Sequence, residues 1–253
     1  MSDLTDGLEL TNSVGRAGWR LFVCSETRST NDIARALHPW NAVRAGVQSS
    51  GRGRFGRQFV SNRGGLWLSA VLPADGPPAQ WSGFSLMVGV HLVRMLEAWS
   101  VPGARLRWPN DLMAGRKKLG GLLIEQAVPG SWVVGFGLNV SNAPWETDPD
   151  LEPIATSLAR ELPLAPSIDE ATVCTLDALA DAHDAMESGG MAAAIAELNE
   201  RWREPVPVEI RLSGGGVAHG RFLGLDAAGN LRIRGDQDFL VGHQSVERLV
   251  ELI

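Results

Sequence analysis

The chain has 23 basic residues, and its only two lysines are adjacent, at positions 117 and 118. They lie in AGRKKLGG (114–121), where Arg116 completes a run of three basic residues. Lysine is a compact charge on a flexible stem, whereas arginine is a broad and rigid fork. A tight pocket in which one side chain contacts both a carboxylate and a phosphate favours lysine. The alternative is that the two lysines lie on an exposed turn and have no function, in a chain that otherwise uses arginine.

A second basic segment, GRGRFGR (51–57), alternates glycine with arginine. Glycine lets the backbone approach a ligand closely, and arginine donates in pairs to phosphate or carboxylate oxygens. The segment therefore predicts an anion-binding loop that becomes ordered when its ligand arrives. A flexible Arg/Gly loop, or an RNA-binding segment of the RGG type, is the alternative. The spacing is not that of a P-loop, because no strand–GxxxxGK[ST]–helix unit occurs.

Asp111 precedes the lysine pair in RWPNDLMAGRKKLGG (107–121), which predicts a hairpin with Gly115 at its tip. Asp111 and Lys118 then lie on opposite arms and can face each other. Because Mg²⁺ takes few protein carboxylates together with nucleotide phosphate oxygens, Asp111 is a candidate magnesium contact.

The segments that must position these residues alternate between strand and helix patterns. Helix signals follow the N-cap residues Ser29, Thr30 and Asn31, and return at 81–99. Short apolar runs predict strands at 19–26, 41–48, 66–73, 104–109, 119–126 and 131–140. We therefore expect an α+β fold, with a mixed β-sheet and packed helices.

The C-terminal part has a different pattern. Ser167–Glu170 forms a capping box before a long alanine-rich helix, and a second helix is predicted at 191–203. EPVP (204–207) reads as a linker, and only short strand patterns follow it. The sequence therefore predicts a catalytic domain at 1–204 and a small all-β domain at 205–253.

Composition narrows the functional classes. The 253-residue chain has a net charge of −6, which argues against a general nucleic-acid or membrane-surface binder. Its two cysteines, at 24 and 174, form no metal-ligand spacing. The N-terminal residues have no signal-peptide pattern, and no run is long and apolar enough to span a bilayer. A cytoplasmic protein that binds neither membrane nor DNA is expected.

Four motifs together resemble the biotin–protein ligases, the biotin–[acetyl-CoA-carboxylase] ligase family. They are STN (29–31), QSSGRGRFGRQF (48–59), RWPNDLMAGRKKLGGLLIE (107–125) and GFGLNV (135–140), in the family's order. The resemblance implies a biotin/lipoate ligase-like catalytic domain and an SH3-like C-terminal domain. It also implies ATP, Mg²⁺ and biotin as reactants. Biotin and MgATP would give biotinyl-5′-AMP, and a lysine of a biotin carboxyl carrier protein domain would then take the biotin.

The resemblance also implies functions for residues at matching positions. Catalysis is expected of Lys118 and Arg54, and Asp111 is the expected Mg²⁺ contact. Biotin binding is expected of Ser29, Thr30, Asn31, Gln48, Gly51, Arg52, Gly53, Gly120 and Gly121. ATP binding is expected of Arg54, Arg57, Phe59, Asn110, Lys118 and Asn139.

Two positions depart from the family pattern: Arg107 stands where lysine is usual, and Phe59 where tryptophan is common. Only about eighteen residues precede the first predicted strand, so a winged-helix DNA-binding domain and repressor activity are not expected. Some family members pair through a sheet edge, and the sequence leaves a homodimer open.

Two other functions compete with biotin ligation. One is a lipoate or octanoate ligase or transferase of the same architecture, whose acyl chain would need an apolar tunnel. STN and Gln48 instead supply several hydrogen-bonding groups, as a ureido ring needs. The other is a non-catalytic biotin or nucleotide sensor, which would have no need of Asp111, Lys118 and the arginine loop together.

Overall fold

The computed structural model describes residues 8–11, 13–76, 78–128, 130–202, 204–242 and 245–252. The chain divides into two compact units, Met1–Asp184 and Ala185–Ile253. This division groups the second predicted C-terminal helix with the small sheet. The domain boundary between residues 204 and 205 stays a prediction.

The first unit is built on an eight-stranded mixed sheet, in the order β1-β2-β3-β4-β8-β7-β6-β5. Its strands are β1 (Glu9–Leu10), β2 (Arg20–Thr27), β3 (Asn41–Gln48), β4 (Leu66–Pro73), β5 (Ala104–Arg107), β6 (Asp111–Ala114), β7 (Lys117–Val128) and β8 (Ser131–Leu138). Only β2 and β3 are parallel among the described pairs, and the short helix α1 (Thr30–Ala34) lies between them in sequence. The other pairs are antiparallel.

Helices cover both faces of this sheet. On one face, Ile33 and Ala34 of α1 form a buried cluster with Val43, Val71 and Val133. On the opposite face lie α2 (Phe84–Ala98) and α4 (Ile168–Glu187), and between them in sequence comes the single turn α3 (Leu158–Glu161). Gly89 of α2 packs so closely on Leu106 that an added Cβ would lie 2.7 Å from a leucine methyl carbon. The expected mixed sheet with packed helices is confirmed.

The two lysines and Asp111 lie in a tight antiparallel hairpin. β6 begins at Asp111 and β7 begins at Lys117, so the predicted hairpin with Gly115 at its tip is confirmed. A two-residue turn, Gly115–Arg116, connects β6 to β7, and Gly115 has a φ of 54°. Glycine adopts that left-handed conformation at no steric cost.

The second unit holds a five-stranded antiparallel sheet in the order β12-β11-β10-β9-β13. Its elements are α5 (Met191–Arg201), β9 (Val206–Leu212), β10 (Val217–Leu225), β11 (Leu231–Arg234), β12 (Phe239–Val241) and β13 (Val246–Glu251). Asn199 of α5 binds the Leu225 backbone at both its N–H and its carbonyl. The sheet is of the kind found in SH3-like domains, as expected.

Candidate active site

The candidate site lies on the α1 face of the large sheet. Strand pairing aligns Asp111, Gly121 and Gly137 in one row across β6, β7 and β8. The neighbouring row contains Gly135 of β8 and Ser69 of β4. Directly paired residues of antiparallel strands point to the same side of a sheet. Most predicted site residues surround these two rows.

A β-bulge brings Lys118 onto this face. Leu112 pairs with Gly120 and Met113 pairs with Lys118, so Leu119 is an extra residue in β7. Without it, the alternation along the strand would point Lys118 to the α2 face. The Lys118 backbone is also fixed from outside the hairpin. Its N–H donates to the Ile154 carbonyl at 2.8 Å, and its carbonyl accepts from Thr156 N–H at 2.9 Å.

Lys118, Asp111 and Arg107 form a cationic cluster. The Lys118 ammonium lies 2.5 Å from Asp111 Oδ1, and the Arg107 guanidinium lies 2.6 Å from Asp111 Oδ2. Burial would raise the pKa of Asp111, but the charges and hydrogen bonds of Lys118 and Arg107 outweigh it and lower that pKa. Asp111 is therefore ionised at neutral pH, and the three residues together carry one net positive charge.

Arg54 adds to this positive charge. Partial burial lowers the pKa of Arg54, Arg57 lowers it further, and Asp111 acts in the opposite direction. Asp111 is thus within electrostatic range of Arg54, while Lys118 and Arg107 contact its carboxylate directly. An arrangement with excess positive charge on a partly buried surface attracts anions such as carboxylates and phosphates.

Asp111 does not fit its expected function as a magnesium ligand. Both of its carboxylate oxygens are already held by cations, at 2.5 and 2.6 Å. A divalent cation would have to displace Lys118 or Arg107 to reach them. Asp111 instead fits the positioning of the lysine ammonium.

A buried polar network lies at the other end of the site, beneath α1. Thr30 donates to Gln48 Oε1 through its backbone N–H at 2.9 Å and its hydroxyl at 3.0 Å. The Ser69 hydroxyl lies 2.7 Å from Thr30 Oγ1 and 2.6 Å from Asn31 Oδ1. Ser29, Thr30, Asn31 and Ser69 are all buried. Burial makes polar groups costly unless they are bonded, and here they bond to one another in a compact polar network.

Hydrogen bonds to residues outside the network fix the orientation of its two side-chain amides, those of Gln48 and Asn31. Gln48 Nε2 donates to Ser61 Oγ at 3.0 Å, and Ser61 donates to the Phe59 carbonyl at 2.9 Å. Asn31 Nδ2 donates to Glu125 Oε2 at 2.8 Å. A carbonyl and a carboxylate can only accept, so both amides must point their oxygens toward Thr30 and Ser69.

The network is short of hydrogens as a result. Four oxygens, of Asn31, Ser69, Thr30 and Gln48, are linked by three short gaps of 2.6, 2.7 and 3.0 Å. The two hydroxyls carry only two hydrogens between them. One of the three contacts therefore has no hydrogen between its two oxygens, which leaves an oxygen lone pair that a ligand N–H could bind. The Ser29 hydroxyl is another available group, since it makes no capping bond to α1.

A floor of glycines connects the two ends. An added Cβ at Gly135 would lie 2.3 Å from Asn31 Oδ1, and one at Gly137 would lie 2.7 Å from the Phe59 ring. Side chains at these positions would therefore close the surface between the network and the cations. Two residues along a strand span about 7 Å, the reach of a short alkyl chain.

Phe59 and the arginine loop lie over the cationic end. Residues 51–59 form a small hairpin, in which Gly53 N–H donates to the Arg57 carbonyl and Phe59 N–H to the Gly51 carbonyl. The Phe59 ring lies 5.5 Å from the Lys118 ammonium and packs edge-on against Trp67. Arg52 makes a bidentate ion pair with Asp32 of α1. The hairpin is thus folded down onto the site.

Several predicted residues have protein partners that explain them structurally. Asn110 Nδ2 donates to the Leu122 carbonyl at 2.7 Å. Asn139 is buried, donates to the Thr156 carbonyl and accepts from Asn142. An added Cβ at Gly51 would lie 2.4 Å from Ser61 Oγ. Their predicted ligand contacts stay predictions.

Gly120 and Gly121 point to opposite sides of the sheet. Gly121 faces the site, where an added Cβ would lie 3.4 Å from Lys118 Nζ. Gly120 pairs with Leu112 and Leu138 on the α2 face, where an added Cβ would lie 2.5 Å from the Gly137 carbonyl. Only Gly121 lies where a biotin chain could contact it, and the predicted contact of Gly120 stays untested.

Sequence reasoning missed four residues of the site: Ser61, Ser69, Glu125 and Asp32. Ser69 had a signal, since it is the only polar residue in the strand LWLSAVLP. Glu125 lies near the end of an apolar strand, where a glutamate is usually an exposed residue. Arg107 was noted only as a departure from the family pattern, and its pairing with Asp111 was not predicted.

Most of this site lies in a region that matches a known protein family. The Biotin/lipoate A/B protein ligase family matches residues 24–138, which include most of the site. A biotin–[acetyl-CoA-carboxylase] ligase from Paracoccus denitrificans is 31% identical over 231 residues, covering 83% of this chain and 92% of that protein. This chain belongs to the biotin–[acetyl-CoA-carboxylase] ligase family.

Other relatives match over a shorter region. The Mycobacterium tuberculosis biotin–[acetyl-CoA-carboxylase] ligase is 40% identical over 154 residues, or 56% of either protein. The Bacillus subtilis bifunctional ligase/repressor BirA is 33% identical over 153 residues, or 47% of its length. The chain thus aligns with about half the length of these two relatives.

A solved structure shares the fold. The Aquifex aeolicus biotin protein ligase, solved in complex with biotin and ATP, superposes with a TM-score of 0.79 at 23% identity. The superposition covers 92% of this chain and 99% of that one.

Within the described residues, no helix is both long and apolar enough to cross a membrane.

Proposed function

We propose that this protein is an ATP-dependent biotin–protein ligase. The observation that carries the proposal is one continuous surface with two chemically different ends. A hydrogen-poor network of Asn31, Ser69, Thr30 and Gln48 lies at one end. At the other end, Arg107 and Lys118 contact Asp111, and Arg54 lies within electrostatic range of it. Biotin carries a ureido ring and a carboxylate, joined by a short alkyl chain.

The polar end supports biotin over lipoate or octanoate. A ureido ring has two N–H donors. One oxygen–oxygen contact of the network has no hydrogen, so an oxygen there can accept a ligand N–H. The ureido oxygen requires a donor, which the Ser29 hydroxyl can supply. A dithiolane ring or a plain alkyl chain has no N–H group. It would cover the polar network without donating to that oxygen.

The cationic end supports adenylation. A biotin carboxylate oxygen attacks the α-phosphorus of MgATP, the bond from that phosphorus to the bridging oxygen breaks, and pyrophosphate leaves. Two anions must approach each other, so the cations offset their repulsion and stabilise the charge of the transition state. Lys118 is proposed to contact both the carboxylate and the α-phosphate, and Asp111 and Arg107 hold its ammonium in place. Arg54 is proposed to contact the phosphates.

The second step needs no covalent enzyme intermediate. The amine of an acceptor lysine attacks the carbonyl carbon of biotinyl-5′-AMP, an amide forms, AMP leaves with the bonding electrons, and the amine loses a proton. The acceptor is proposed to be a biotin carboxyl carrier protein domain of a carboxylase. The protein contributes mainly by holding the anhydride in place and excluding water.

Pyrophosphate release from MgATP tests the proposal, with biotin, lipoate and octanoate offered separately to the purified protein. Release with biotin alone, followed by a mass increase of a biotin-carrier domain, is the expected result. Release with lipoate or octanoate and none with biotin would contradict it. Biotin binding without release would favour a sensor.

A further inference from the structure

Glu125 is the last residue of the motif at 107–125 and has no function assigned above, yet its carboxylate contacts the buried polar network directly. Glu125 Oε2 accepts from Asn31 Nδ2 at 2.8 Å, and Glu125 Oε1 accepts from Arg35 at 2.9 Å. Its side chain is 26% exposed, so one edge faces solvent and the other faces the site. The register of β7 with β8 places it on the same sheet face as Gly135.

We propose that Glu125 is a positioning residue that determines specificity for a ligand ring with N–H donors. This inference rests on the proposed biotin ligase function. Glu125 acts through Asn31, whose amide it holds with the oxygen facing Ser69.

The number of hydrogens in the polar network explains how Glu125 would act. With Glu125 present, Asn31 must use its NH₂ group on the carboxylate, so its oxygen belongs to a chain of three oxygen–oxygen contacts that share two hydroxyl hydrogens. The Gln48 oxygen also accepts from the Thr30 backbone N–H. Without an acceptor at position 125, the amide can turn over and donate to Ser69 Oγ. Ser69 can then donate to Thr30, and Thr30 to Gln48, so that all three gaps are filled. The freed Arg35 can in turn donate to the reversed Asn31 oxygen.

The turned amide would remove the acceptor that a ligand N–H needs. The Asn31 amide also packs closely against β8. An added Cβ at Gly135 would lie 2.3 Å from Asn31 Oδ1, so the amide rests directly on the strand. The Glu125 charge also extends to the loop, because the Asp32 hydrogen bond raises the pKa of Arg52 and the charge of Glu125 raises it further. Glu125 therefore lies at the junction of the network and the arginine hairpin.

The test measures dissociation constants of four ligands by calorimetry: biotin, desthiobiotin, and biotin methylated singly at either ureido nitrogen. Desthiobiotin keeps both N–H groups, whereas each methylated compound lacks one. In Glu125→Leu, binding of biotin and desthiobiotin should weaken by about 10- to 100-fold, as expected for a displaced contact group. The preference for biotin over one methylated compound should also fall by about tenfold or more, because that N–H loses its acceptor.

Two variants separate positioning from a general structural effect. Glu125→Gln keeps an oxygen that Asn31 can donate to, so it should retain the wild-type preference. Glu209→Leu is the matched control, since Glu209 is also a strand residue, paired with an arginine and 23% exposed. It should change neither affinity nor preference.

Three results would overturn the inference. Glu125→Leu could bind all four ligands as the wild type does, it could lose affinity for all four by the same factor, or Glu125→Gln could lose the preference as fully as leucine. If the leucine variant does not fold, Glu125→Asp replaces it as the test, since aspartate withdraws the carboxylate by one methylene. Glu125→Asp must then show the same reduced preference for biotin over the methylated compound. A wild type that binds no biotin would instead contradict the proposed function itself.

Discussion

The Lys118 ammonium lies 2.5 Å from the Asp111 carboxylate, and this contact depends on one extra residue, Leu119, between the paired positions of β6 and β7. In a regular hairpin Lys118 would point to the opposite face of the sheet. The bulge re-aims the lysine toward the glycine floor without changing the remaining register of β7 with β8. A local irregularity thus creates the cationic end of the site.

Asp111→Asn tests the charge arrangement through pH. The pKa of Asp111 is lowered in the folded protein, so its ionisation stabilises the fold above the unfolded pKa of about 3.9. That stabilisation is lost as the pH falls below about 4 and passes through the folded pKa. We expect melting temperatures between pH 7 and pH 3 to fall less steeply for Asp111→Asn than for the wild type. Parallel curves for the two proteins would contradict the assigned ion pairs.

Gly135→Ala tests the glycine floor. The new methyl group would lie 2.3 Å from Asn31 Oδ1, so Asn31 must move away from its present position. We expect biotin affinity to fall by about 10- to 100-fold, because the network that receives the ring is displaced. Gly214→Ala is the control, since a Cβ there meets nothing within 4 Å. Wild-type affinity in Gly135→Ala would show that the ring lies elsewhere.

Much of this arrangement was predictable, because it depends on residue types in local order. The mixed sheet followed from strand and helix patterns, and Thr30, Gln48, Asp111 and Lys118 were all predicted as site residues. The bulge at Leu119 was not, because it depends on the register of two strands. Ser69 and Glu125 were missed for a related reason. They lie 38 and 94 residues from Asn31, and only the folded sheet brings them to it.

Asn139→Ala separates a structural function from a nucleotide contact. The buried amide donates to the Thr156 carbonyl at 2.9 Å and accepts from Asn142 at 3.0 Å. Its loss should lower the free energy of unfolding by about 1–3 kcal/mol, measured by urea denaturation. Ser141→Ala, which removes an exposed hydroxyl, should change it little. Unchanged stability together with a raised KM for ATP would favour the predicted ATP contact instead.

Asp32→Ala tests the contact that holds the arginine hairpin to α1. Asp32 and Arg52 form a bidentate ion pair that joins α1 to the hairpin of residues 51–59. We expect faster trypsin cleavage after Arg52, Arg54 or Arg57 in the variant, and protection when biotin and ATP are added together. Asp169→Ala, which removes an ion pair with Arg44 on the other face, is the control. Equal cleavage of wild type and Asp32→Ala, with and without ligands, would contradict closure of the hairpin.

The most direct test of the account is biotin-dependent exchange of labelled pyrophosphate into ATP, measured for the wild type, Lys118→Ala and Lys117→Ala. Lys117 is the matched control, since its ammonium contacts only a backbone carbonyl, that of Glu152, at 3.2 Å among the described contacts. We predict exchange in the wild type and in Lys117→Ala, and a loss of about 100-fold or more in a folded Lys118→Ala, as for removal of a transition-state contact. Exchange at the wild-type rate in Lys118→Ala would contradict the assignment of adenylation to the cations around Asp111.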